Sequence, residues 1–246
     1  MLHLVATPIG NNQEITLRAL EVLRTVTHVI CESTREASTL LKAHGISGKI
    51  YYLLNEHTTP EELRELLEVC KNFPTALISD CGTPGFCDPG PSLIRLCRSQ
   101  NIPIKSILGA SSLMGLLSLA SEKFNQFLFV GFLPAEKEQR ELALRNLKKE
   151  TKAMIFMDTP YRQKKLLSEL AHSFPQRRAL LVQNLSQENE DQIEGSIEAI
   201  LKRIRNEKAE FMLLLYPFDP NYPMDPNYPF DPKFPLHQKP PPARNQ

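Results

Sequence analysis

Thr75-Ala76-Leu77-Ile78-Ser79-Asp80-Cys81-Gly82-Thr83-Pro84-Gly85-Phe86-Cys87-Asp88-Pro89-Gly90-Pro91 runs from an apolar segment that reads as a buried strand into a connection holding three Gly, three Pro and two Asp. Glycine permits positive φ and a close approach of backbone to a ligand; proline fixes its own φ and biases the residue before it toward extended conformations. Alternating the two gives a stiff turn with exposed amides, carbonyls and two carboxylates, suited to a small polar ligand at a strand end. An ordinary surface turn draws on the same residue types. The loop alone leaves both readings open.

The segments on either side repeat its pattern. Leu2 to Ala6 reads as a strand ending in Thr7-Pro8-Ile9-Gly10-Asn11-Asn12, after which Ile15, Ala19, Val22, Leu23 and Val26 trace one helix face. His28 to Cys31 is a second strand, with Ser33 or Thr34 placed to cap a helix that stops at Gly45. Tyr51 to Leu54 is a third, followed by Thr59-Pro60-Glu61-Glu62, a capping box with proline at the first helical position. After the 79–91 loop come a helix around Leu93 to Arg98, a strand from Ile102 to Leu108, and a helix opened by Gly109-Ala110-Ser111-Ser112 and running through Ala120. Strand and helix alternate, which predicts α/β architecture with a mostly parallel sheet.

A second α/β unit begins near Phe124. It has strands at Phe127 to Leu133, Ala153 to Met157, Ala179 to Val182 and Glu210 to Tyr216, a charged helix over 135–149 and a helix from Ser196 to Arg205. Asp158-Thr159-Pro160 closes the second of these strands, with Thr159 as a cap and Pro160 as a helix start. The expected division is a domain over 1–122, a domain over 123–217 and a tail over 218–246, with a cleft where the two domains meet. The tail is read as extended and largely disordered. The last thirty residues, from Pro217, carry Pro217-Phe218-Asp219-Pro220-Asn221-Tyr222 and two further copies of that six-residue pattern, ten of the twenty prolines and no glycine. A docking peptide for a proline-recognising partner is one role it could serve.

Hydrophobic content of 41% and charged content of 23% are ordinary for a globular protein. No apolar run approaches a membrane span and residues 1–4 lack the features of a signal peptide, so the expectation is a cytoplasmic protein without a membrane partner. Five cysteines without CxxC spacing or neighbouring histidines read as reduced thiols, with no metal site, and Cys81 and Cys87 as small buried residues. The net charge of +1 conceals an asymmetry: −2 over residues 1–122, +6 over 123–178 and −3 over 179–246. Lys137, Arg140, Arg145, Lys148, Lys149, Lys152, Arg162, Lys164, Lys165, Arg177 and Arg178 in the basic stretch could hold phosphates of a polyanion, or form a solvated helical surface.

GxGxxG after the first strand, GxxxxGK[ST], HExxH and GxSxG are all absent, which leaves little support for the usual dehydrogenases, P-loop NTPases, zinc proteases and serine hydrolases. What remains is three strand-end loops, 7–12, 79–91 and 109–112, on the edge of an α/β sheet where ligands bind.

Ala6-Thr7-Pro8-Ile9-Gly10-Asn11, Ile15-Thr16-Leu17-Arg18-Ala19-Leu20, Ser79 to Gly85 with Asp88-Pro89-Gly90, and Phe129-Val130-Gly131-Phe132-Leu133-Pro134 resemble, in order, the motifs of the tetrapyrrole-methylase-like (class III) methyltransferases that use S-adenosylmethionine (SAM). Within that class they are most similar to the branch that methylates a ribose 2′-oxygen, that of a cytidine, in 16S ribosomal RNA, and to a shorter sister branch. The resemblance spans about residues 2–216. It implies two α/β domains with SAM bound in the cleft between them, a homodimer, and ribosomal RNA or the small ribosomal subunit as partner. It also implies that Pro8 and Gly10 lie by the ligand, that Asp80, Gly82 and Thr83 form the main loop under it, and that Gly109, Ser111 and Ser112 add a helix N-terminus. Asp158 and Leu185 would close on the adenosine side.

The chain departs from the ribosomal branch in several places. Glu-Asp-Thr-Arg becomes Glu32-Ser33-Thr34-Arg35, Glu-Ser-Pro-His-Arg becomes Asp158-Thr159-Pro160-Tyr161-Arg162, and Arg-Glu-Leu-Thr-Lys becomes Gln183-Asn184-Leu185-Ser186-Gln187. A SAM-bound methyl is already activated, so the protein must align a nucleophile and exclude water. A ribose hydroxyl needs a base within hydrogen-bond reach. Glu32 is the candidate base, Arg35 its orienting group or a phosphate ligand, and Arg162 a clamp on the RNA backbone; each could instead be a surface or salt-bridge residue. Two other readings stay open, a methylase of a tetrapyrrole or other small molecule, and a SAM- or RNA-binding module without turnover.

Overall fold

The computed structural model describes residues 1–218. The chain divides into two compact units, Met1–Leu119 with Asn184–Glu190, and Ala120–Gln183 with the residues from Asp191 onward. The hexapeptide repeat and any partner it binds fall almost wholly outside the described residues. The short stretch 184–190, expected within the 123–217 domain, groups with the first unit.

The first unit alternates β1 (Leu2–Val5), α1 (Leu17–Thr25), β2 (His28–Cys31), α2 (Thr34–Ala43), β3 (Ile50–Leu53), α3 (Pro60–Asn72), β4 (Thr75–Leu77), α4 (Gly90–Ser99), β5 (Ile104–Ile107) and α5 (Ser112–Ser118). The strands form one sheet in the order β3-β2-β4-β1-β5, and every neighbouring pair is parallel. Successive strand residues point to opposite faces. Val29 and Cys31 therefore join one core with Ala19, Leu23, Ala37 and Leu41 of α1 and α2, while Ile30 joins another with Leu66, Cys70, Leu93 and Cys97 of α3 and α4. Helices cover both faces, which is why these strands carry almost unbroken apolar sequence.

Helix starts follow the local chemistry. Thr16 Oγ1 accepts from Ala19 N–H at 3.1 Å, and Ser33, rather than Thr34, caps α2 through Glu36 N–H at 3.3 Å. At α3 the Thr59 hydroxyl accepts from Glu62 N–H while the Glu62 carboxylate accepts from Thr59 N–H, the reciprocal box its sequence predicts.

The second unit contains β6 (Phe127–Phe132), α6 (Lys137–Leu147), β7 (Ala153–Asp158), a 3₁₀ turn (Pro160–Arg162), α7 (Gln163–Ser173), β8 (Arg178–Gln183), β9 (Asp191–Ser196), α8 (Ile197–Arg203) and β10 (Phe211–Leu215). Its sheet, ordered β6-β7-β10-β8-β9, is mixed: β6 and β7 are parallel, whereas β10 runs antiparallel to β7 and β8, and β9 to β8. Strand β9 was not expected. Its sequence, Asp191-Gln192-Ile193-Glu194-Gly195-Ser196, is mostly polar because it lies at a sheet edge, and Gly195 takes φ +149°. Thr159 makes no side-chain cap; Pro160 instead starts the 3₁₀ turn that leads into α7.

Among the described residues no helix is long and apolar enough to cross a membrane.

Candidate active site

Parallel strands end on one edge of their sheet, so the loops after β1, β2, β4 and β5 are neighbours. The loop after β1 is stitched to the loop after β4: Thr7 N–H donates to Gly82 O at 2.9 Å and Gly82 N–H returns a bond to Thr7 O at 3.1 Å. The buried Thr7 hydroxyl donates to Ser79 O at 3.1 Å, and Ser79 Oγ donates back into its own loop at Cys81 O, 3.1 Å away. Thr83 Oγ1 donates to Ala110 O at 3.0 Å, which ties in the loop after β5. All three loops singled out in the sequence thus meet within the first unit.

The 79–91 loop is shaped by its second aspartate. Asp88 accepts from Gly85 N–H at 2.7 Å and from Gly90 N–H at 2.8 Å, and Cys87 beside it is held at φ +64°. Gly82 has φ +79°, a conformation that favours glycine. A Cβ built there would make ordinary van der Waals contact with Ile9 at 3.8 Å and Ala110 O at 3.9 Å, so the backbone conformation rather than crowding calls for glycine here. Cys81 and Cys87, expected to be buried, are both exposed.

Two other glycines have different reasons. A Cβ on Gly10 would lie 2.7 Å from Leu185 O and 2.5 Å from Gln187 Cγ, so Gly10 makes room for the returning 184–190 segment. A Cβ on Gly109 would lie 2.9 Å from that of Ala6, where the chains leaving β1 and β5 pass each other. Leu185 is drawn onto the first unit by the same packing: its side chain fills the notch at Gly115 of α5, where a Cβ would be 2.8 Å from Leu185 Cδ2. Pro8 is buried beside Thr7. Ser111 spends its hydroxyl on Met114 N–H at 3.4 Å, capping α5, which begins with Ser112.

Acidic groups gather at the same edge. Asp80 accepts from Ser33 N–H at 3.1 Å, joining the β4 loop to the start of α2. Glu32, the residue after β2, is half-buried; burial lifts its carboxyl above the ordinary range, a bond from Asp80 N–H partly offsets this, and the charges of Asp80 and Asp88 raise it further. Asp80 is itself raised, chiefly by burial. Arg35 is exposed, and its guanidinium makes no ion pair among the described residues. Among those residues no group of three or more His, Cys, Asp or Glu side chains is arranged to hold a metal.

In the second unit Asp158 and Arg162 belong to a charged network. The Asp158 side chain is fully buried. It accepts from Arg140 Nη2 at 3.1 Å and from Thr159 N–H at 2.9 Å, with Arg162 Nη1 at 3.8 Å, so its carboxylate serves the protein's own cations. Arg140, Arg177 and Arg178, three of the residues expected to be available for phosphate, are committed to the interior. Arg140 also donates to Glu169 at 2.6 Å. Arg177 donates to Tyr216 O at 2.9 Å and Glu150 O at 3.0 Å, and burial depresses its pKa to about 10. Arg178 pairs with Glu122 and Glu194. The signal for Arg140 was present in the sequence, since it shares a helix face with Leu144 and Leu147 at i+4 and i+7. Arg162 stays half-exposed.

Residues 1–201 match the family model described as Tetrapyrrole (Corrin/Porphyrin) Methylases. The chain is 33% identical over 221 residues to a "Ribosomal RNA small subunit methyltransferase I" from Neisseria meningitidis serogroup B, covering 88% of this chain and 76% of that one. It is 32% identical over 216 residues to the protein of the same name from Leptospira biflexa, covering 87% and 90%. Among solved structures, a diphthine synthase superposes with a TM-score of 0.66 at 15% identity, covering 88% of this chain and 89% of that one. The uroporphyrin-III C-methyl transferase from Thermus thermophilus, solved with S-adenyl homocysteine, gives 0.59 at 18% identity, covering 87% and 96%. At these identities the structural likeness concerns the fold.

Proposed function

Since the chain belongs to the tetrapyrrole methylase family, we propose that it is a SAM-dependent methyltransferase that methylates a ribose 2′-oxygen, that of a cytidine, in small-subunit ribosomal RNA. The geometric observation that carries the reading is the conjunction at one sheet edge of the three strand-end loops hydrogen-bonded around Gly82 and Thr83 and the half-buried carboxyl of Glu32. Similarity over most of the chain to the small-subunit methyltransferases supports RNA as the acceptor.

When bound, SAM supplies an electrophilic methyl on a sulfonium. Backbone groups of the loops at Pro8, Asp80, Gly82 and Thr83 would hold the cofactor, with the bridges from Thr7 to Gly82 and from Thr83 to Ala110 fixing their spacing. Ser111 and Ser112 would shape the third wall and Leu185 would supply an apolar contact. Glu32 would take the proton from the acceptor hydroxyl as the methyl leaves the sulfonium, which departs as a neutral thioether, and its raised affinity for protons would make it a better base than an ordinary carboxylate. Arg35 and Arg162 hold phosphates of the acceptor strand, the latter steadied by Asp158. The enzyme is a homodimer, an assembly in keeping with the exposed Leu17 and Leu108 of the first unit, and a ribosomal acceptor places it in the cytoplasm.

The test is incubation of the full chain and methyl-labelled SAM with 30S subunits from a strain that lacks the protein, followed by nucleoside mass spectrometry. A new ribose-methylated cytidine is expected. No added methyl on RNA, with label appearing on a uroporphyrinoid offered in parallel, would replace the RNA reading by a small-molecule one.

A further inference from the structure

The turn between β7 and α7 places Tyr161 in water with 82% of its surface exposed. A phenol ring usually buries its apolar body and leaves only its hydroxyl wet, so a bare ring calls for an explanation. Cations surround it. Lys208 Nζ, from the loop between α8 and β10, stands 5.7 Å from the ring centroid. Arg162 follows directly, its guanidinium 3.8 Å from the buried Asp158. Lys164 at the start of α7 pairs with Glu207 at 2.7 Å and so ties the two segments together.

The platform has a buried foundation. Gln163 and Gln183 are almost completely buried. Gln183 Nε2 donates to Asn206 O at 2.6 Å; with the Gln163 amide turned to the orientation its neighbours require, Gln183 Nε2 also donates to the Gln163 amide oxygen at 2.7 Å and the Gln163 amide nitrogen donates to Asn206 O at 3.1 Å and Glu207 O at 3.2 Å. Two internal amides thus clamp the backbone just before Lys208 to the residue just after Arg162. Burying two amides for a merely solvated turn would be costly. Here they fix the ring and its cations relative to one another.

We propose that Tyr161 is a stacking platform for an unpaired base of the RNA acceptor, with Lys208 and Arg162 on the flanking phosphates; this rests on the RNA reading above. Unpaired bases stack on exposed aromatic rings, and Lys and Arg beside the ring track the backbone. Charge argues for RNA over a protein surface, because over 158–165 and 205–210 the cations Arg162, Lys164, Lys165, Arg205 and Lys208 outnumber the acids Asp158, Glu207 and Glu210.

The chain contains no tryptophan, so Tyr161→Trp introduces its single indole. Titrating the full-length Y161W variant with a short single-stranded RNA should quench the indole, whereas the matching duplex should not. Tyr161→Ala should weaken single-strand binding roughly 5- to 150-fold without altering the slope of log K against log[salt]. Lys208→Gln should flatten that slope by about 0.7. An unquenched indole with Y161A binding at wild-type strength would overturn the platform. So would a Y161A variant that changes the sedimentation mass and leaves RNA binding intact, since the ring would then be a contact between copies. Methyl transfer to 30S subunits, measured alongside, separates the two ideas. Labelling by wild type and Y161A at equal rate and KM removes the platform and leaves the acceptor; quenching by RNA without labelling by wild type leaves the platform and removes the acceptor.

Discussion

The two units deal with charge in opposite ways. In the first, a fully parallel sheet is closed by helices on both faces, and its charged and polar working groups lie in loops at one edge. In the second, a mixed sheet admits guanidinium groups to the interior, where Arg140 meets Asp158 and Glu169 and Arg177 donates to three backbone carbonyls. The parallel sheet leaves its loops free to be shaped by glycine and proline because its core is complete without them. The second unit uses charge to bring β7, α6 and α7 into register, since buried ionic groups tolerate few alternative packings. A carboxylate in the first unit is therefore read as chemistry, and one in the second as architecture.

The largest effect that would sharpen this contrast is on rate. Glu32→Gln should lower methyl transfer by about 10²- to 10⁴-fold while SAM affinity, measured by calorimetry, stays near wild type. In the wild type the rate should rise with pH through a value above the ordinary carboxylate pKa of 4.5, because burial and the neighbouring Asp80 and Asp88 raise Glu32. The folded chain also binds that proton more tightly than the unfolded one. Its contribution to stability is therefore fully present below pH 4.5 and is lost as pH rises through the raised value. E32Q should remove both dependences. A variant with wild-type rate would make Glu32 another structural acid and erase the distinction between the units.

The architectural half of the contrast is tested by Arg140→Ala. Asp158 would keep a buried charge without its main partner, a loss of about 3–5 kcal/mol, seen as an early urea transition confined to probes in the second unit. The paired change R140M/D158N should recover much of that. A cost under about 1 kcal/mol for R140A would mean that solvent reaches the network and that the second unit is not organised by charge.

Legibility in the sequence follows the range over which each feature is determined. The strand at His28 to Cys31, the cap at Ser33 and the box at Thr59 and Glu62 were readable because their causes lie within four residues. The three strand-end loops were readable because Gly, Pro and Asp act locally on the backbone. Arg140 was missed because its partners lie 18 and 29 residues away, and a charged residue on an apolar helix stripe was weighed by its charge rather than its position. Gly10 was named only through the family resemblance, as a residue beside the ligand; the chain packed against it is that of residues 185–187. That contact could not be read from either stretch alone.

Gly10→Ala tests this shared piece of the two halves of the sequence. The new methyl would need the space held by Leu185 O and Gln187 Cγ, and overpacking of this kind costs about 1–3 kcal/mol. Amide hydrogen exchange should accelerate at 184–190, where Gln187 N–H donates to Asn184 O at 2.9 Å and Ser186 N–H to Glu190 at 2.7 Å, while β4 and β10 remain protected. Unchanged exchange at 184–190 would show that the segment belongs with the second unit after all.

The smallest effect concerns a feature determined wholly within one turn. Thr59→Ala removes the hydroxyl that accepts from Glu62 N–H and frees the Glu62 carboxylate from one of its two donors on Thr59, the hydroxyl, leaving the Thr59 backbone N–H. Loss of such a cap costs about 1 kcal/mol, observed as a shift of the first unit's urea midpoint with its slope unchanged. Glu62 is held below the ordinary carboxylate range chiefly by the Thr59 N–H, so its stabilising share exists above that range and is lost as pH falls through the depressed value. The gap between wild type and T59A should therefore narrow in acid.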